Sequence, residues 1–134
     1  MSNDRYARGL GRLSEVHGMV GEGVLDEVRA IAPDFARMVV EFPYGDIHSR
    51  PGLSARDRQL AIVSALTAMG NVEAELVIHM RAALRTGVTR DELVEVVMQV
   101  APYAGFPVTL NAILAAKRLF EDLDREAGRE AAAE

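Results

Sequence analysis

Leu60-Ala61-Ile62-Val63-Ser64-Ala65-Leu66-Thr67-Ala68-Met69 is apolar nearly all round a helical wheel, and its reading decides the fold. A helix of that kind must be surrounded by protein, from its own chain or from another copy. Upstream, Ser54 is placed to cap it, with Asp57 in a first turn whose dipole favours an acid. Downstream, Gly70-Asn71 turns the chain into a helix over residues 72–86, and Gly87 stands where a left-handed C-cap belongs. Thr89-Arg90-Asp91-Glu92 has the spacing of a capping box. The helix it opens carries Leu93, Val94, Val96, Val97, Val100 and Ala101, the spacing of a core-facing surface. After Pro102-Tyr103-Ala104-Gly105-Phe106-Pro107 a last helix runs to about Leu123, and the charged, Ala-rich tail 124–134 is expected to fray.

The first part of the chain reads as helical too, but less regularly. Residues 4–17 (Tyr6, Leu10, Leu13) and 22–31 (Val24, Leu25, Val28, Ile31) form two segments, and Pro33 suits the first turn of a third, 33–42. Two Pro and two Gly within 42–52 predict a loop. No alternating strand pattern occurs. The expectation is an all-α fold of about six helices in a single domain, 1–134. N-terminal helices and a loop fill 1–53, and the core helices fill 54–123.

With 134 residues and 49% hydrophobic content, one domain can bury a core. Fifteen Lys and Arg against twenty Asp and Glu leave a charge of −5 with no basic cluster, which argues against a nucleic-acid partner. The absence of Cys excludes disulfides, thiolate nucleophiles and Cys-ligated metals. Met1-Ser2-Asn3-Asp4-Arg5 has no apolar leader, so a cytoplasmic location is expected. Val96 to Ala116 carries no formal charge over 21 residues, long enough to span a bilayer. Pro102, Gly105 and Pro107 interrupt it, however, and the segment reads as two helices meeting at a break, with no membrane partner.

Among the three histidines, His79 is in the middle of a firm helix, four residues after Glu75 and next to the Leu76, Met80, Ala83, Leu84 stripe. A Glu one turn before a His can hold its ring, so the two suit an acid/base pair; the alternative is a boundary His beside a solvated Glu. His48 and His17 fall in less regular segments, where surface or loop positions are expected. The histidines are too scattered for a metal triad, and no metal is expected. Asp46, His48 and Arg50 alternate between Pro43 and Pro51, and Arg50 offers a planar donor fork for a carboxylate. Arg58 is either a second anion contact or the partner of a nearby acid. Tyr103 sits at the helix break, where core packing is the default, as it is for Met38, Met69, Met80 and Met98.

The run Tyr44-Gly45-Asp46-Ile47-His48-Ser49-Arg50-Pro51-Gly52-Leu53 resembles the W-G-[DE]-[IV]-[WY]-[ST]-R-P-G-L segment of gamma-carboxymuconolactone decarboxylases. Arg58, His79 with Arg81-Ala82-Ala83-Leu84, Gly87-Val88-Thr89, Glu92 and Tyr103-Ala104-Gly105-Phe106-Pro107 follow in order, and Arg5-Tyr6 with Gly9-Leu10 resembles the family's opening. The resemblance implies an alkylhydroperoxidase-like fold built on an antiparallel helical hairpin and assembled as a trimer or hexamer. Alkylhydroperoxidase relatives use CxxCxxxH; with His79 as its His, the two Cys positions hold Val72 and Glu75, so thiol peroxidase chemistry is not expected.

What the resemblance implies instead is cofactor-free decarboxylation of a small carboxylated lactone such as 4-carboxymuconolactone, in the breakdown of aromatic compounds. It gives carboxylate binding to Arg50 aided by Arg58, and acid catalysis to His79 oriented by Glu75 or Asp46. An imidazole with an ordinary pKa near ~6.5 is poised for that transfer. Tyr44 and His48 stand where the family tends to carry large aromatics, altering two pocket walls and making His48 a candidate second acid/base; Tyr103 completes the binding set. The alternative is another lyase or an isomerase on a different cyclic acid, or a non-catalytic oligomeric binder of one.

Overall fold

The computed structural model describes residues 2–134, and every regular element among them is helical. In chain order these are α1 (Ser2–His17), α2 (Met19–Ile31), α3 (Pro33–Val39), a π-helical segment (Val40–His48), α4 (Ala55–Met69), α5 (Glu73–Arg85), α6 (Arg90–Ala104) and α7 (Phe106–Ala133). The chain divides into two compact units, the first ending at Arg58 and the second beginning at Gln59.

In the first unit, Leu13, Leu25, Ala36, Val40 and Tyr44 form the core, with Tyr6, Leu10 and Val28 packed on it. Tyr6, Leu10 and Leu13 recur at helical spacing, so α1 presents one apolar stripe to α2, α3 and the π segment. α1 comes unusually close to the π segment. A Cβ built on Gly9 would lie 2.2 Å from the Val40 carbonyl oxygen, and one on Gly45 would lie 2.8 Å from that of Arg5. Only glycine permits that approach.

The π segment corrects the loop expected over 42–52. Pro43 lies inside it. In an α-helix its ring would collide with the carbonyl four residues back and remove one ladder bond. Widening the turn by one residue relieves that collision without ending the helix. Carbonyls of the segment are taken up from outside the ladder: Ser49 Oγ donates to Tyr44 O at 2.6 Å, and Arg8 Nε donates to Gly45 O at 2.9 Å.

The second unit follows the sequence more closely. Its core is Val63, Leu76, Met80, Ala83, Val88, Leu93, Val97, Ala112, Ala116 and Leu119, drawn from α4 to α7. The capping box closes as expected, with Glu92 N donating to Thr89 Oγ1 at 3.1 Å and Thr89 N to Glu92 Oε1 at 3.0 Å. Ser54 Oγ accepts from Asp57 N at 3.0 Å at the start of α4. Gly87 takes φ 108°, and Gly105 takes φ 98° at the break between α6 and α7, a region L side chains rarely adopt. No described helix is long and apolar enough to cross a membrane.

Two expectations differ here. α7 continues past Leu123 to Ala133, because its Ala-rich sequence favours helix and Arg81 and Arg90 tie Glu126 and Asp124 to it. Met38, Met69 and Met98 are exposed, and of the four named methionines only Met80 is buried. Tyr103 is 85% exposed and Phe106, Leu110 and Leu114 at least half exposed, so the α6–α7 corner carries a large apolar surface on this chain.

Candidate active site

In the first unit, the π segment and the turn after it hold Tyr44, Asp46, His48 and Arg50, and Arg58 follows at the start of α4. Asp46 is gripped by a guanidinium fork: Arg5 Nε donates to its Oδ1 at 2.9 Å, and Arg5 Nη2 to its Oδ2 at 2.5 Å. That bonding holds the Asp46 carboxyl below the usual carboxylate range, with the charges of Arg5 and Arg8 adding to it. Asp46 therefore fastens α1 to the π segment.

His48 is buried, 9% exposed, against the surface or loop position expected for it, because the π turn rolls it inward. Its ring stacks on Tyr44 with centroids 4.5 Å apart and planes 14° apart. Its Nδ1 is buried without a hydrogen-bond partner, as is Arg58 Nε. Burial, reinforced by the charges of Arg58 and Arg12, lowers the His48 pKa to about 4. Arg58 Nη2 donates to the Arg50 carbonyl at 2.9 Å, and among the described residues Arg58 pairs with no carboxylate. The Arg50 side chain is exposed, its backbone fixed by a 3.1 Å bond from its N–H to Ile47 O.

The sign of the His48 shift gives a stability prediction. The folded protein resists a proton that the unfolded chain accepts at its ordinary pKa of 6.5. Stability supplied by neutral His48 is thus intact above that value and is lost as pH falls toward about 4. Integrated over the window, it is on the order of 3 kcal/mol. Urea melts between pH 7.5 and 4.5 are expected to show a steeper acid-side loss for the wild type than for His48→Phe; parallel curves would refute it.

In the second unit His79 is half-buried on α5, and its Nδ1 lies 3.0 Å from Gln59 Oε1. An amide oxygen only accepts, so Nδ1 carries the hydrogen and Nε2 is the basic nitrogen. Gln59 is wholly buried, which locks this geometry. Glu75, expected to orient the ring, is exposed on α5; the Nδ1 partner is Gln59, one residue after Arg58. Gln59 is not titratable, and no motif marks it. Tyr103 is not core, as expected by default, but borders a shallow apolar groove with Ser64, Ala65, Ala68, Val96 and Gln99. No cluster of three or more His, Asp or Glu able to hold a metal occurs among the described residues.

In separate units, then, a buried imidazole beside a guanidinium and a half-buried histidine bonded to a buried amide are the candidate groups for acid/base work on a small anion in an all-helical fold. Residues 33–118 match the model of the carboxymuconolactone decarboxylase family. The chain is 37% identical to the 4-carboxymuconolactone decarboxylase of Acinetobacter baylyi over 120 residues, 89% of each chain. It is 29% identical to the nitrosuccinic acid decarboxylase of Metarhizium robertsii over 86 residues, 64% of this chain and 59% of that one. This chain belongs to the carboxymuconolactone decarboxylase family. As a member it is a carboxy-lyase, and without Cys it has no thiol for peroxidase chemistry.

Proposed function

We propose that this protein is a cofactor-independent decarboxylase of a small carboxylated lactone, 4-carboxymuconolactone or a close analogue. The observation that carries the reading is the pair of buried, unpartnered nitrogens, Arg58 Nε and His48 Nδ1, in a setting where no carboxylate among the described residues pairs with Arg58. A substrate carboxylate accepts from both, and charge-assisted bonds of this kind are the stronger ones. Arg50 supplies a second fork. The similarity to two decarboxylases, one of which acts on 4-carboxymuconolactone by name, supports the reaction type.

In the reaction, the C–C bond to the carboxylate breaks and CO2 leaves. The electron pair stays in the lactone ring, delocalised onto the carbonyl oxygen as a dienolate. A positioned acid then gives its proton to ring carbon, and water restores it; the candidate for that acid is the His79 imidazole, which Gln59 keeps in one orientation. Asp46 and Glu75 have supporting roles, the first through Arg5 and the second as an exposed acid one turn from His79. Tyr44, His48 and Tyr103 shape specificity.

Loss of lactone absorbance coupled to CO2 release tests the activity. Arg58→Ala is expected to raise KM roughly tenfold to hundredfold, the loss of one charged hydrogen bond, with Arg50→Ala in the same direction. A wild type that is thermally stabilised by the lactone without consuming it would instead be a binder.

We also propose that the protein is a homo-oligomer, a trimer or hexamer, working in the cytoplasm. Phe106, Leu110 and Leu114 recur one turn apart on α7 and are 72%, 56% and 50% exposed, while Ala61, Ala65, Ala68 and Met69 leave one face of α4 open. Large apolar side chains left exposed together on neighbouring turns support an interface there. Light scattering is expected to show an assembly at micromolar concentration that Leu110→Asp with Leu114→Asp reduces to monomer; a wild-type monomer would refute it.

A further inference from the structure

His17 ends α1 and is buried, against the surface or loop position expected for it. Its Nε2 and the Tyr44 hydroxyl share a buried 2.5 Å hydrogen bond, and the two rings meet edge to face, centroids 5.5 Å apart at 73°. Tyr44 in turn carries His48 on its other contact, stacked at 4.5 Å. Three rings from two helical elements therefore form one chain of contacts, His17 to Tyr44 to His48. A buried polar side chain held by one short bond loses its rotational freedom, and a ring stacked on it loses its own. A methyl-sized displacement of Tyr44 would let the π segment's imidazole turn, since His48 has no hydrogen bond of its own at Nδ1 to stop it.

We propose that His17 is a positioning residue for the decarboxylation: by anchoring the Tyr44 hydroxyl it fixes the plane of the His48 imidazole beside Arg58. The proposal rests on the reading of Arg58 and His48 as the substrate-carboxylate contact. His17 touches no substrate in it. Its effect passes through Tyr44, so removing either end of the bond has the same consequence.

The test uses Tyr44→Phe, which deletes one oxygen and keeps the stacked ring, with His17→Leu and His17→Gln beside it. Tyr44→Phe and His17→Leu are each expected to lower kcat/KM about tenfold. The double variant is expected to lose no more than the larger single loss, and His17→Gln, which restores a hydrogen-bonding end group, to recover part of it. Nitrogen NMR of ring-labelled protein supplies a reading independent of turnover: the His48 ring signals are expected to shift or broaden in Tyr44→Phe while the fold stays intact by circular dichroism. Unchanged His48 signals, or additive losses in the double variant, would overturn the positioning role. A wild type without decarboxylase activity but with the His48 signals displaced by Tyr44→Phe would keep the positioning and discard the substrate assignment.

Discussion

His79→Ala is expected to lower kcat by roughly 100-fold or more, the lower end of what a positioned general acid contributes. The expectation follows from the step it serves. Once CO2 has left, the dienolate must take a proton at carbon, and water is a poor donor compared with an imidazolium held in place. The Gln59 bond makes His79 more than a nearby histidine, because it assigns the hydrogen of the neutral ring to Nδ1 and leaves Nε2 to carry the transferable proton. A fall in kcat with KM nearly unchanged is the expected signature, since the acid acts after binding. Stability should change little by comparison: the truncation leaves Gln59 Oε1 without its donor, costing about 1–3 kcal/mol. Turnover that survives His79→Ala would take this residue out of the mechanism and pass the proton to another group, with His48 the first to examine.

Gly9→Ala is expected to destabilise the protein by about 3 kcal/mol or more, the upper range for forcing a group into a packed core. The added methyl would meet the Val40 carbonyl oxygen at 2.2 Å, and the Val40 carbonyl carbon and Gly45 nitrogen at 3.0 Å. All three atoms are backbone, so no side chain can swing aside, and α1 must move away from the π segment. That movement also strains the Arg5–Asp46 fork and the His17–Tyr44 bond, which join the same two elements. A drop in Tm of more than about 10 °C is expected. Gly11→Ala is the control: nothing lies within 4 Å of its Cβ, and the position is exposed on the same helix. There the change is expected to stabilise by roughly 0.5–1 kcal/mol through helix propensity and a less flexible unfolded chain. Equal melting of Gly9→Ala and wild type would mean that the approach of the two helices is not tight.

These residues also show which parts of the molecule are readable from its sequence. The helices from α4 onward are, because their signals are local: Ser54, Thr89 with Glu92, Gly87 and Gly105 each act within one turn of where they stand. The π segment is not, because Pro43 and Gly45 read as breakers unless α1 is present to receive the widened turn. His17 and His48 look like loop histidines for the same reason; their burial comes from that one non-local packing event. Gln59 escapes any search for titratable groups, though its position beside Arg58 and its burial mark it once the fold is known. Tyr103 and the three exposed methionines go the other way. Their apolar character predicts burial, and a single chain does not provide it.

The π segment has a consequence for comparing this chain with others. Each residue of an ordinary helix advances the direction of its side chain by about 100°, and a π turn absorbs one additional residue before the ladder closes. A homologue one residue shorter between positions 40 and 48 would therefore point a different set of side chains at the same place in space. Aligned letter by letter without a gap, Tyr44 and His48 would then be matched to residues on another side of the helix. Angular phase, rather than position in the alignment, identifies their counterparts.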